Sequence, residues 1–364
     1  VKLPRWSTLP LAVRLAVGVA ALAVLVVIPL GLNNYWKFLA SLVVTYTIAN
    51  LGFQAVVGWS GQLAMAHASF FGIGAYAAGF LPQVIEKTTF NPATGENVAE
   101  RTWSGNVPFL VALLLVPPVC AAAGYVLGLP AIRLKGFYLA IATLAFAGMI
   151  LRVFVEAKDY TKGGEGLSVD TFRLFGWDKA LSSYYLALGI AAVVWVLLGR
   201  MKTTRFGRTL LAVRDTDIAA SSLGVNVTQY RLASFAISAG LAALGGAMWG
   251  QAVGFIAPQA FTTALLNAML MMIIVGGVGT RAGAAIGSVF YVAIDQFFAN
   301  FPTFKDAALK GAYRNIAFGL ALMICIGVLP DGLASLTNRL RSSRRPAASG
   351  DGPGAAPTPS GGAA

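Results

Sequence analysis

The sequence predicts an all-α, polytopic integral membrane protein of about ten transmembrane spans (8–10), with N- and C-termini cytoplasmic. Three observations carry that prediction. Of 364 residues, 57% are hydrophobic and 11% charged, whereas a soluble domain has about a quarter charged residues. Mean hydropathy is +0.72, and a surface that apolar does not stay dispersed in water. Runs of about 20 apolar residues, enough to cross the hydrocarbon, recur between short charged stretches.

The candidate spans fall at about 11–32, 38–57, 63–82, 107–129, 136–153, 183–200, 231–251, 263–279, 282–299 and 313–330. The first opens with a stretch resembling a signal sequence, but its apolar run from Leu15 to Tyr35 is too long for one. No small-residue cleavage site follows it, so it reads as an uncleaved span. Between Phe38 and Ile85 no Lys, Arg, Asp or Glu occurs, yet VGWSGQLAMAHASFFGIGAY (57–76) gathers Trp59, Ser60, Gln62, Ser69, four glycines and the single histidine, His67. Glycine permits turns that other residues resist, and irregular backbone at membrane depth must be covered by protein or line a path. Ser60, Gln62 and His67 are candidates to satisfy the freed backbone groups, and Ser60 or Gln62 to cap the third helix. His67 lacks the partners of a catalyst or metal ligand. It reads as an interhelical hydrogen-bonding residue or as a residue lining a translocation path.

Further along, Leu232–Thr280 holds no charge and exceeds one span, and Gly254 with Pro258–Gln259 marks the turn. Gly279, Gly283 and Gly287 recur every four residues, as do Gly246 with Gly250 and Gly124 with Gly128. That spacing lets helix backbones touch in lipid.

With the N-terminus inside, the inner loops carry Arg133 and Lys135; Arg200, Lys202, Arg205, Arg208 and Arg214; Arg281; and Arg339, Arg341, Arg344 and Arg345. The outer loops 83–106 and 154–182 mix both signs. An eight-span arrangement with re-entrant segments near 58–75 or 254–285 satisfies most of these loops too. The net charge of +13 is scattered in this way rather than gathered for nucleic acid. Residues 1–336 form one transmembrane domain, and the Pro/Gly/Ala/Ser-rich 337–364 reads as a disordered cytoplasmic tail, its arginines resting on membrane lipid.

Chemistry has little to build on. No Walker A loop, H-E-x-x-H or Cys/His cluster occurs, and Cys120 and Cys325 sit singly in apolar runs. No cofactor, metal or catalytic set is expected, and a membrane enzyme is disfavoured. Ion-coupled carriers keep ionisable groups in their spans, and here only Asp295 sits clearly within one, near its outer end. The segment GRTLLAVRDTDIAASSLGVNVTQY (207–230) reads as a short amphipathic helix. Leu211, Ile218 and Ala219 share one face, Arg214, Asp215 and Asp217 lie on or beside the other, and Gly224 follows as a C-terminal stop. A solvated basic loop is the plainer alternative.

Several passages together resemble one family, the LivM-like permease subunits of branched-chain amino-acid ABC importers. They are GWSGQLAMAHASFFGIGAYAAG (58–79), RLKGFYLAIATLAFAGMI (133–150), TKGGEGL (161–167), residues 206–250, GGVGTRAGAAIG (276–287) and LPDGL (329–333), spread in order over about residues 15–336. The resemblance implies a multi-pass subunit of the bacterial inner membrane working by alternating access. It would pair with a second related permease, two ATP-binding subunits and a periplasmic substrate-binding protein. By matching position, Gly207, Arg208, Arg214, Asp215, Ala219, Ala220 and Gly224 belong to the loop that docks on the ATPase. Arg281 departs from the apolar or aromatic residue more usual there. Cousins carrying urea or short amides leave the cargo open, and a lone secondary carrier is the rival of another class.

Overall fold

The computed structural model describes residues 23–84, 86–91, 96–101, 107–131, 134, 137–169, 178–300, 307–328 and 332–334. Most of the first predicted span, and the whole of the tail from 337, lie outside them. Every later predicted span holds a helix. In chain order the long helices are α1 (Asn34–Phe53), α2 (His67–Val84), α3 (Val107–Ala131), α4 (Phe137–Glu156), a short α5 (Lys158–Thr161) and α6 (Lys179–Thr203). There follow α7 (Arg205–Asp215), α8 (Asp217–Ser222), α9 (Val227–Val253), α10 (Thr263–Gly276), α11 (Arg281–Ala299) and α12 (Ala307–Val328).

Among the described residues six helices are long and apolar enough to cross a membrane: Asn34–Trp59, Phe109–Pro130, Tyr138–Glu156, Lys179–Thr203, Val227–Val253 and Arg281–Ala299. Thr263–Gly276 and Asn315–Cys325 are shorter apolar helices.

Two small strand pairs interrupt the helices. The outer loop expected at 83–106 folds back as β1 (Glu86–Asn91) on β2 (Glu96–Arg101), antiparallel, with Glu86 opposite Arg101. A two-residue pair, β3 (Leu167–Ser168) with β4 (Phe255–Ile256), ties the TKGGEGL loop to the turn after α9. That turn lies where the sequence placed it: Gly254, at φ +79, ends α9, and Pro258 opens a 3-10 turn to Phe261.

The helices sort into a centre and a periphery. Within an apolar 18-residue stretch, 78% of the α1 segment and 67% of α9 are buried, against 22% in α3 and in α4. α9 is the hub, packed on α1, α2 and α3, while α6 and α11 flank α1. Leu114 and Met323 instead turn large apolar side chains outward, as lipid permits and water does not. Close approach at the centre comes from missing side chains. A Cβ on Gly246 would lie 1.8 Å from the Phe71 carbonyl, and one on Gly74 would lie 2.0 Å from that of Ala243. The α2 and α9 backbones therefore touch in both directions, as small residues in membranes allow.

Candidate functional site

The GWSGQ passage begins with a change of helix type. After Phe53 the α1 ladder widens into a π-helix, Gln54–Trp59, a rare form frequent at functional sites. Its residues are almost entirely buried, including the polar Gln54. A buried amide must find partners or cost stability, and Gln54 finds them in the GGVGT passage. Its Nε2 donates to the Gly277 carbonyl at 3.0 Å, and its Oε1 accepts from the Gly279 amide at 2.6 Å. One turn earlier, Asn50 Nδ2 donates to Ser288 Oγ and to Met272 Sδ, each at 2.9 Å. Spacing of i, i+4 puts both amides on one face of the helix. That face holds α1 to the α10–α11 hairpin.

The Gly277–Gly279 turn collects more donors. The Gly279 carbonyl accepts from Trp59 Nε1 at 3.2 Å and from Lys202 Nζ at 2.9 Å. Lys202 also stands 5.7 Å from the centre of the Trp59 ring. Thr280 Oγ1 donates to the Gly277 carbonyl and accepts from the Gly283 amide, capping α11. Gly279 itself has φ +82 and precedes the helix, so the glycine triplet is not one helical stripe. Gly283 and Gly287 lie on α11, where a Cβ would meet the carbonyls of Gly277 and Met272 at 2.4 and 1.8 Å. Arg281 donates to the Trp195 carbonyl at 2.8 Å and sits 5.3 Å over the Trp195 ring.

Arg214 joins this group from the loop after α6. Its guanidinium donates to the Gly58 carbonyl. Lys202, Arg214 and Arg281 have no carboxylate partner among the described residues. The ion pairs there are Arg152–Glu156 and Arg231–Asp217.

The loop departs from its predicted form. Thr216, extended at φ −155 and ψ 105, splits it into α7 and α8. The buried face consists of Gly207, Leu210, Val213 and Ala220, not of Leu211, Ile218 and Ala219. Ile218 and Leu223 are 83% and 84% exposed, because the break rotates α8 relative to α7. Gly207 seats α7 against α6: a Cβ there would lie 2.3 Å from the Met201 carbonyl. Arg208, Asp215 and Ala219 face outward. Gly224 ends α8 at φ +79, the left-handed conformation glycine tolerates.

Ser60, Gln62 and His67 are brought together on α9. Gln62 Nε2 donates to Ser60 Oγ and, at 3.2 Å, to Ser234 Oγ. These two side chains bond each other and α9 rather than the start of α2. His67 places Nε2 3.0 Å from the Ala49 carbonyl and Nδ1 2.9 Å from Ser238 Oγ. A carbonyl only accepts, so Nε2 carries the hydrogen, and Nδ1 accepts from the serine. Its ring stacks on Phe53 at 4.4 Å. His67 thus bonds α1 and α9 at once, from the first residue of α2.

Residue reading from the sequence passed over Gln54, Asn50, Ser234 and Ser238. A clue was present: polar side chains in an uncharged span need partners, and Asn50 and Gln54 stand at helical spacing.

What the arrangement offers is hydrogen bonding and positioned charge. Among the described residues no group of three metal-ligating side chains occurs, and Cys120 and Cys325 are buried apart.

Comparison with known proteins places this geometry. Residues 35–327 match the family described as branched-chain amino acid transport system / permease component. The chain is 28% identical over 318 residues, 80% of its length and 70% of the relative's, to the high-affinity branched-chain amino acid transport system permease protein LivM of Salmonella typhimurium. It is 26% identical to the protein of that name from Escherichia coli, over 92% of this chain and 78% of the relative. The autoinducer 2 import system permease protein LsrC of Salmonella paratyphi B is 29% identical over 49% of this chain and 55% of its own. No solved structure matches. The π-turn, the glycine turn and the split loop all fall inside the matched segment, and the chain belongs to the family of branched-chain amino-acid transport permease components.

Proposed function

We propose that this chain is one transmembrane subunit of an ATP-driven importer in a bacterial inner membrane. It moves branched-chain amino acids from periplasm to cytoplasm by alternating access, and nothing chemical happens to the cargo. Its working complex contains a second related permease, two ATP-binding subunits and a periplasmic substrate-binding protein. The chain crosses about ten times with both ends cytoplasmic, and the loop Gly207–Gly224 docks on the ATPase.

The observation that carries the reading is the two-sided loop. Its inner side packs on the bundle through Gly207, Leu210 and Val213, while Ile218 and Leu223 are presented outward, unpartnered among the described residues. Large apolar side chains held so far from the core favour contact with another protein. Ser60, Gln62 and His67 lie beside the path in this reading, fixing the helices that border it.

The test is reconstitution of the chain with its partner subunits in proteoliposomes. ATP-dependent leucine uptake is expected, abolished by deletion of 217–223. Uptake that persists after the deletion would sink the docking assignment. The LsrC likeness supports a second reading of the cargo, since its name gives another solute. Competition against labelled leucine by valine and isoleucine but not by unrelated solutes supports the amino acids.

A further inference from the structure

We propose that Arg214 and Gln54 form a mechanical joint that passes movement of the α7–α8 loop into the membrane core. The inference rests on the reading of that loop as the docking site for an ATPase, and adds how a displacement there leaves it.

Arg214 lies in the last turn of a surface helix and is itself exposed, yet its guanidinium reaches back to the Gly58 carbonyl. Three glycines make its seat. A Cβ on Gly61 would lie 3.1 Å from Arg214 Cγ, and one on Gly279 would lie 3.3 Å from its NH1. Gly58, whose carbonyl it binds, has no room either: a Cβ there would meet Gln54 Oε1 at 2.5 Å and the Gly279 amide at 2.7 Å. Gly61 and Gly279 both adopt positive φ, +70 and +82. The guanidinium therefore lies where the GWSGQ and GGVGT passages meet.

The electrostatics suit a joint. The last carbonyls of a helix lack intrahelical donors, and the helix dipole puts partial negative charge there. Gly58 is in the final turn of the α1–π segment, so a cation from the loop caps it. Because the guanidinium is charged, that bond outweighs a neutral one. At the other end of the same turn, Gln54 holds Gly277 and Gly279 through two opposed bonds. A pull on Arg214 thus reaches the π-turn first and the α10–α11 hairpin through Gln54. The π-turn is the compliant part, since a π-helix carries an extra residue per turn that local rewinding can absorb.

The experiment compares uptake with ATP hydrolysis in the complete transporter, reconstituted with leucine as cargo, for Arg214→Lys, Arg214→Ala, Gln54→Leu and the Arg214→Ala/Gln54→Leu pair. The ratio of the two rates does not depend on how much complex folds. Uptake per ATP is expected to fall about tenfold in each alanine or leucine variant, and Gln54→Leu, which lies outside the docking loop, is expected to keep the ATPase subunit bound and its hydrolysis near wild type. Arg214→Lys, which keeps charge but loses the fork, should fall between. The double variant should be no worse than the weaker single. An unchanged ratio in Arg214→Ala overturns the joint. So does loss of the ATPase subunit from Arg214→Ala alone, which makes Arg214 a partner contact. Wild-type complex that takes up no leucine with ATP overturns the functional reading instead.

Discussion

Around Gly279 the side chains of Gln54, Trp59 and Lys202 bond main-chain atoms of one glycine turn. Around Phe261 the contacts are rings: Phe71 at 6.3 Å, Tyr76 at 5.8 Å, Phe154 at 5.9 Å and Trp249 at 5.6 Å. Helix α9 separates the two regions. Ser234, bonded to Gln62, and Trp249 are fifteen residues apart, about 22 Å at helical rise. Hydrogen bonds to a particular carbonyl have one register and fail if the turn slides. Aromatic rings accept offset or edge-on placements across about 4.5–7 Å with little change in energy. One end of the core therefore specifies position, and the other excludes water while tolerating small shifts. Alternating access, as proposed above, calls for both properties, at opposite ends.

The difference is most exposed to test at Gly58. Valine there puts carbon against Gln54 Oε1, displacing that amide from its bonds, and against the Gly279 backbone at 2.7 Å, which has no side chain to yield. We expect a loss on the order of 3 kcal/mol or more, read as a lowered melting temperature of the purified chain in detergent. Gln54→Leu follows at about 2–3 kcal/mol, because the Gly279 amide is left buried without an acceptor and the Gly277 carbonyl keeps only Thr280. At the aromatic end, Phe261→Leu should cost only about 1–2 kcal/mol, since the neighbouring rings close in. A Phe261→Leu loss equal to that of Gly58→Val would erase the distinction between the ends.

Much of the fold could be read in the sequence because hydropathy reports directly on lipid. The charge-free Leu232–Thr280 had to turn, and Gly254 and Pro258 marked where. The site was harder, for three physical reasons. A π-turn has no period of its own, so 54–57 looked like more α-helix. Gln54 finds its partners 223 and 225 positions away, and they are main-chain atoms that carry no residue signature. Thr216 breaks the loop without a glycine or proline, so a single apolar face was expected through Leu211, Ile218 and Ala219. The positive φ of Gly224 was foreseeable, because a helix stop restricts the residue that follows it.

The smallest effect on stability is expected at Ile218, and it extends the comparison from the two ends to the two faces of the loop. Leu210 is fully buried against α6 and the π-turn side of the bundle, and Leu210→Ala should lower stability by about 2–4 kcal/mol. Ile218, 83% exposed, touches too little of the chain to matter to its folding. Ile218→Ser should leave the melting temperature within the range of about 0.5 kcal/mol typical of surface changes. Under the proposed docking it should nonetheless weaken capture of an ATP-binding subunit, because it removes an apolar group worth about 1.5–3 kcal/mol when covered. Co-purification and melting curves measured on the same preparation separate the two. A melting point that falls with capture would mean that the outward face of α8 belongs to the fold after all, and the split into an inner and an outer face would be lost.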